Sequence, residues 1–234
     1  MSLHYEIAPS SGGGADLAND GDSPGAPPPV IVLMHGRGSN EKDLLGLRPY
    51  LPAHAHVVCP RAPHPGDPWG YGPGWAWYRF LGNRSPDLES FEESQALLEQ
   101  FLRELPGKLP GPVGPMVLGG FSQGGVMSLG YALRIGSGAS EGDRVHVPHI
   151  VNLSGFLPEL PTVQVTSDTI QNLRIFWGHG LGDRQISMDW ADVGRKALLA
   201  SGAELTALDY EAAHTITKEE LGDLVDWLPG GALP

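Results

Sequence analysis

The chain has 234 residues, 41% of them hydrophobic, one cysteine and a formal net charge of −12. That length fits one domain, residues 1–234, with a sizeable core; the charge disfavours nucleic acid or an anionic membrane as a tight partner, and no apolar run approaches a membrane span. A lone cysteine excludes an internal disulfide framework and suits a reducing, cytoplasmic setting.

In chain order, Leu3 to Ala8 alternates as an edge strand does. Residues 9–29 are mostly Gly, Ser, Asp and Pro, with almost nothing to bury, and read as a long flexible loop. Val30 to Met34 is continuously apolar, as expected of a strand buried on both faces of a parallel sheet. The loop His35 to Asn40 follows, then a helix from Glu41 to Tyr50 capped by Ser39 or Asn40. His56 to Cys59 is the next strand, with Cys59 as a buried, inert thiol. Residues 60–87 are irregular and rich in Pro, Gly and Trp. Leu88 to Leu105 has the spacing of an amphipathic helix. Pro112 to Leu118 is a strand, Gln123 to Ile135 a helix, Val145 to Leu153 a strand, Leu173 to Trp177 a strand, Ser187 to Ala200 a helix, Glu204 to Tyr210 a strand, and Thr217 to Trp227 the last helix. Alternating β and α with apolar strands predicts an α/β fold: a mostly parallel sheet with helices on both faces and no large cap domain.

In such a sheet, ligands bind outside the carboxyl ends of the strands. Gly120-Phe-Ser122-Gln-Gly124 fits G-x-S-x-G between a strand and a helix, which places Ser122 on a sharp turn at that edge as a candidate nucleophile. A serine hydroxyl needs a base, and the base needs a carboxylate to fix its tautomer. The expected order is Ser, then Asp or Glu, then His. His146 and His149 flank a strand's beginning, the wrong edge. His214 follows the strand ending at Tyr210 and is the candidate base. Asp183, after Gly178-His179-Gly180-Leu181-Gly182, is the candidate acid, while Asp189 and Asp192 read as solvated helix residues. Two backbone N–H groups are needed for an oxyanion: Gln123, after the nucleophile, and Arg37 in the loop after the first central strand, with Gly38 as the substitute. His35 reads as a structural hydrogen-bonder.

Leu33-Met-His-Gly-Arg-Gly-Ser-Asn-Glu41, Gly119-Gly-Phe-Ser-Gln-Gly-Gly125, Leu153-Ser-Gly-Phe-Leu157, Gly178-His-Gly-Leu-Gly-Asp183 and Tyr210-Glu-Ala-Ala-His214 together resemble the phospholipase/carboxylesterase family of small α/β-hydrolases, whose best-known members are acyl-protein thioesterases. The resemblance implies hydrolysis of carboxylic esters or thioesters with no metal or organic cofactor, with Ser122, Asp183 and His214 matching the triad and Arg37 with Gln123 the oxyanion hole. Gly182 and Arg184 depart from the family pattern around the acid.

Between Pro68 and Tyr78 lie three Trp and two Tyr. Some of these rings, Trp75 and Trp77 with Phe156 and Leu157 from the next block, are candidates for an acyl pocket beside Ser122; folding over the core is the structural alternative. The resulting expectation is a serine hydrolase acting on small-molecule esters of short to medium acyl chain, thioesters and lysophospholipids included. The competing readings are a non-catalytic binding protein on the same fold, or a hydrolase of a lactone or peptide. A homodimer is the one macromolecular partnership considered.

Overall fold

The computed structural model describes residues 2–10, 26–135 and 144–229. The flexible loop expected over 9–29 falls for the most part outside these residues. The strands and helices in chain order are β1 (Tyr5–Ala8), β2 (Val30–Met34), β3 (His56–Pro60), β4 (His64–Pro65), β5 (Trp75–Ala76), α1 (Leu88–Glu104), β6 (Met116–Phe121), α2 (Gln123–Leu133), β7 (His149–Leu153), α3 (Ser167–Ile170), β8 (Arg174–Gly180), α4 (Met188–Ala200), β9 (Glu204–Tyr210) and α5 (Lys218–Trp227).

Seven strands form one sheet in the order β1-β3-β2-β6-β7-β8-β9. Only the edge strand β1 is antiparallel to its neighbour. Alternate side chains of β2 feed two cores. Val30, Val32 and Met34 pack with Phe91, Leu98 and Val126 from α1 and α2. Ile31 and Leu33 pack with Leu44 and with Leu221, Leu224 and Trp227 of α5. A strand covered on both faces has no polar side, which is why its sequence does not alternate.

From β2 the chain steps to β3 on one side and later to β6 on the other. The strand order reverses there, so the β2 and β6 loops diverge and leave a crevice at the carboxyl edge.

Several boundaries differ from the sequence reading. Residues 41–50 form turns and a 3-10 helix, Leu44–Tyr50, instead of an α-helix, with Pro49 inside it removing a backbone donor. Neither Ser39 nor Asn40 caps it: the N-cap position falls to Asp43, with no side-chain cap bond, and the Asn40 side chain accepts from the Lys42 N–H at 3.0 Å in the turn before the helix. β6 starts later than Pro112 and runs on through Gly119 and Gly120. Gly114 N–H goes to Pro28 O at 2.8 Å, outside the ladder, and a Cβ at Gly119 would lie 2.6 Å from that of Val151 on β7. β7 is shorter than expected, starting after Pro148. β8 extends three residues past Trp177 because its ladder with β9 continues to the Gly180–Tyr210 pair. The segment between β3 and α1 contains a small hairpin, β4 with β5, that the residue pattern does not signal.

Candidate active site

β6 delivers Phe121 to the carboxyl edge, and Ser122 turns the chain into α2 with φ 54° and ψ −114°. A non-glycine residue in that region stores strain, which persists only where the surroundings hold it. They hold it here by contact: a Cβ on Gly120 or Gly124 would run into the Met34 carbonyl oxygen of β2. The Ser122 N–H donates to Leu153 O at 2.8 Å. The glycines let strand and helix backbones meet, and their meeting lifts the serine off the sheet.

His214 lies in the loop after β9. Its Nε2 is 2.9 Å from Ser122 Oγ, and its Nδ1 is 2.6 Å from Asp183 Oδ2. A carboxylate only accepts, so Nδ1 carries the proton and Nε2 is left to accept from the hydroxyl. The other Asp183 oxygen, Oδ1, accepts the N–H groups of Gln185 and Ile186 at 2.8 and 2.9 Å. The loops bearing acid and base are joined backbone to backbone. Gly182 N–H donates to Ala212 O at 2.8 Å, and a Cβ on Gly180 would meet the Ala212 and Ala213 carbonyls. The sequence departure at Gly182 therefore leaves Asp183 facing His214.

His179 is fully buried in β8. Its Nε2–H donates to Ile186 O at 2.9 Å, bracing the turn whose amides hold Asp183. Burial pushes its pKa down, so the ring stays neutral. Its supporting role was legible only as a histidine four residues before the acid.

Gln123 opens α2, where the first N–H groups lack intrahelical acceptors. Its side chain is occupied elsewhere, accepting from Trp77 N–H at 3.0 Å and donating to Tyr78 O at 2.8 Å. In the β2 loop, Gly38 N–H donates to Trp75 O at 2.8 Å and Ser39 N–H to Gly36 O at 3.3 Å. Arg37 is the residue between Gly36 and Gly38. Gly36 sits close enough to Ser122 that an added Cβ would be 3.5 Å from the serine's. His35 is structural, as expected: Nδ1–H donates to Gly36 O at 2.7 Å and Nε2 accepts from Ala62 N–H at 3.1 Å. Both nitrogens are engaged in the neutral form, and burial lowers the pKa.

A cleft of about 570 Å³ opens over Ser122 and His214, walled by Gly36, Arg37, Tyr71, Phe121 and Gln185 among others. The four rings and chains assigned to a pocket from sequence do not line it. Trp77 is fully buried in the core, its indole N–H donating to His35 O at 3.0 Å. Trp75 pairs with Pro65 in the hairpin and lies under the Arg61 guanidinium, 5.0 Å away. Phe156 is buried against Phe80 and Trp190, with ring centroids 5.8 and 5.5 Å apart. A Cβ on Gly194 of α4 would lie 2.8 Å from that of Leu157. The aromatic walls are instead Tyr71, from the same Trp-rich loop, and Phe121, whose ring is 4.6 Å from that of His214. A run of aromatics in sequence does not say which of them faces inward. A larger cavity, about 750 Å³, lies beside Tyr131 and Thr166, and among the described residues its walls hold no serine.

A family model described as Phospholipase/Carboxylesterase matches residues 22–229. Acyl-protein thioesterase 1 of Yarrowia lipolytica is 25% identical over 214 residues, 85% of this chain and 90% of that protein. Acyl-protein thioesterase 1 of Candida albicans is 29% identical over 220 residues, again 85% and 90%. The crystal structure of Zea mays acyl-protein thioesterase 2 shares the fold at a TM-score of 0.72 and 22% identity, covering 96% of this chain and 97% of that one. Sheet order, the elbow between β6 and α2, and a family match spanning almost the whole described chain agree: the chain belongs to the phospholipase/carboxylesterase family of α/β-hydrolase enzymes.

Proposed function

We propose that the protein hydrolyses carboxylic esters and thioesters of short to medium acyl chain through an acyl-enzyme on Ser122. Ser122 Oγ attacks the carbonyl carbon while His214 Nε2 takes its proton. The negative charge that develops on the carbonyl oxygen is met by the N–H groups of Gln123 and Arg37, near the positive end of α2. Asp183 keeps the proton on His214 Nδ1 and stabilises the imidazolium. That imidazolium then protonates the departing alcohol or thiol. Water, deprotonated by His214, attacks the acyl-enzyme and releases the acid.

The observation that carries this reading is the unbroken chain Ser122 Oγ to His214 to Asp183, at 2.9 and 2.6 Å, with its serine in a cleft. A cleft of this volume suits a small ester over a large lipid. Ser122→Ala is expected to lower kcat for p-nitrophenyl butyrate at least about a thousandfold with the circular dichroism spectrum unchanged. Adding His214→Ala should cost little more, because the two act as a unit. Turnover that survives Ser122→Ala would leave a binding protein or a different nucleophile as the better account.

A further inference from the structure

Among the described residues, the catalytic cleft has one arginine or lysine in its wall, Arg37. Its guanidinium lies 4.8 Å from the centroid of the Tyr71 ring. That ring is itself fixed, because Tyr71 Oη accepts the Phe80 N–H at 2.8 Å. The backbone on both sides of the pair is tied down as well. Gly38 N–H reaches Trp75 O at 2.8 Å, and Tyr71 N–H reaches Gly66 O at 3.0 Å. Stacking on an aromatic face orients the planar guanidinium and leaves its N–H edge free.

Among the described residues, no carboxylate forms an ion pair with Arg37, although the protein carries 27 acidic and 15 basic residues. Arg61, Arg84, Arg103, Arg134, Arg174 and Arg195 each have a carboxylate partner. Arg48, Arg79, Arg144 and Arg184 share Arg37's lack of one among the described residues, but of these five arginines only Arg37 shares the wall of the cleft with Ser122. The other charged wall residue is Asp43, whose Oδ2 accepts the Ser39 hydroxyl at 2.7 Å. Asp183 and His214 are paired with each other.

We propose that Arg37 is a specificity-determining residue, and that its guanidinium makes the cleft prefer esters and thioesters carrying an anionic oxyacid group, carboxylate or phosphate, close to the scissile carbonyl. The proposal rests on the esterase reading above and names the substrate class within it. The residue combines two roles: its amide faces the oxyanion and its side chain takes the second negative group of the substrate. A guanidinium offers a carboxylate or phosphate two parallel N–H donors, which an ammonium cannot. Asp43 sets a limit on the preference by repelling the same anion across the cleft.

The test uses matched substrates that carry or lack an anionic group. On the acyl side these are mono(4-methylumbelliferyl) glutarate and 4-methylumbelliferyl butyrate. On the leaving-group side they are 3-acetoxybenzoate and its methyl ester, and 3-acetoxyphenyl phosphate, read against phenyl acetate, serves as the phosphate arm. For each variant, kcat/KM for the anionic substrate is divided by that for the neutral one. Relative to wild type, Arg37→Gln should lower this ratio about tenfold in at least one arm, through KM of the anionic substrate. Arg37→Lys should restore it only in part, and Asp43→Asn should raise it. The Arg37-dependent part, the wild-type ratio divided by that of Arg37→Gln, should fall towards one as KCl is added, because the Debye length shrinks to about 3 Å at 1 M salt. If wild type turns over the neutral esters but the ratio does not respond to Arg37→Gln in any arm, the preference is absent and the proposal is overturned. If wild type turns over none of these substrates, the esterase reading itself fails.

Discussion

At the scale of single residues, the site depends on who accepts and who donates. Asp183 takes three N–H groups, one from His214 and two from its own turn. Asp183→Asn would present an amide where His214 Nδ1–H now donates. The imidazole would then flip its tautomer and present a proton to Ser122 instead of a lone pair. We expect kcat to fall by about 10⁴ with stability little changed, read by ester kinetics beside thermal unfolding. Cys59 is the opposite case. Burial, with the nearby Asp43 and Glu6 charges, pushes its thiol up to about 12. Thiol reagents should therefore leave activity intact until the protein unfolds, as a stopped iodoacetamide assay would show.

At the scale of elements, the elbow and the last helix make separate claims. Gly124 has no room for a methyl group: its Cβ would collide with the Met34 carbonyl of β2. Gly124→Ala must push α2 away from the sheet and move Ser122 with it. It should lower activity by at least about a hundredfold, since misplacement by about 1 Å is enough for that. α5 begins with a reciprocal cap, in which Glu220 N–H donates to Thr217 Oγ1 at 3.0 Å and Thr217 N–H to Glu220 Oε2 at 3.4 Å. Burial lifts the Glu220 carboxyl to about 7, the Asp223 charge adding to the rise and the Thr217 N–H opposing it. The folded state then keeps a proton that the unfolded chain releases near its ordinary value of 4.5. Stability from this group is highest below that value and declines as pH rises to about 7. Glu220→Gln keeps the cap acceptor and removes the titration. In urea unfolding it should gain on the order of 3 kcal/mol over wild type at pH 8 and close to nothing at pH 4.

At the scale of the whole molecule, a net charge of −12 repels itself in the compact state. Lysine is scarce, with only Lys42, Lys108, Lys196 and Lys218 in the chain. Added KCl should screen the repulsion and raise the thermal midpoint between low salt and about 0.15 M, where the Debye length is about 8 Å. A midpoint that does not rise would show that the acidic surface carries no net penalty. Between β3 and α1 the chain builds a small hairpin and one 3-10 turn, and no helix of that segment caps the cleft. No helix of the described residues is long and apolar enough to cross a membrane. Turnover of p-nitrophenyl butyrate should therefore exceed that of emulsified triolein in a pH-stat comparison.

The sequence by itself determined the class of fold, the order Ser122, Asp183, His214, and the edge of the sheet at which they meet. Those follow from local rules: apolar runs mark buried strands, glycines mark close backbone approach, and functional loops follow strand ends. It also marked His35 and Gln123, although not that the Gln123 side chain ties the elbow to Trp77 and Tyr78. Only the tertiary structure decided which aromatics face the cleft. Trp75, Trp77 and Tyr71 share one loop, but Trp77 fills the core, Trp75 backs Arg61, and Tyr71 carries Arg37. Strand ends were decided in space too, because β8 runs on as long as β9 lies beside it. A residue's type says what it can contact; the direction it points is set by the partners that many distant residues bring to its side.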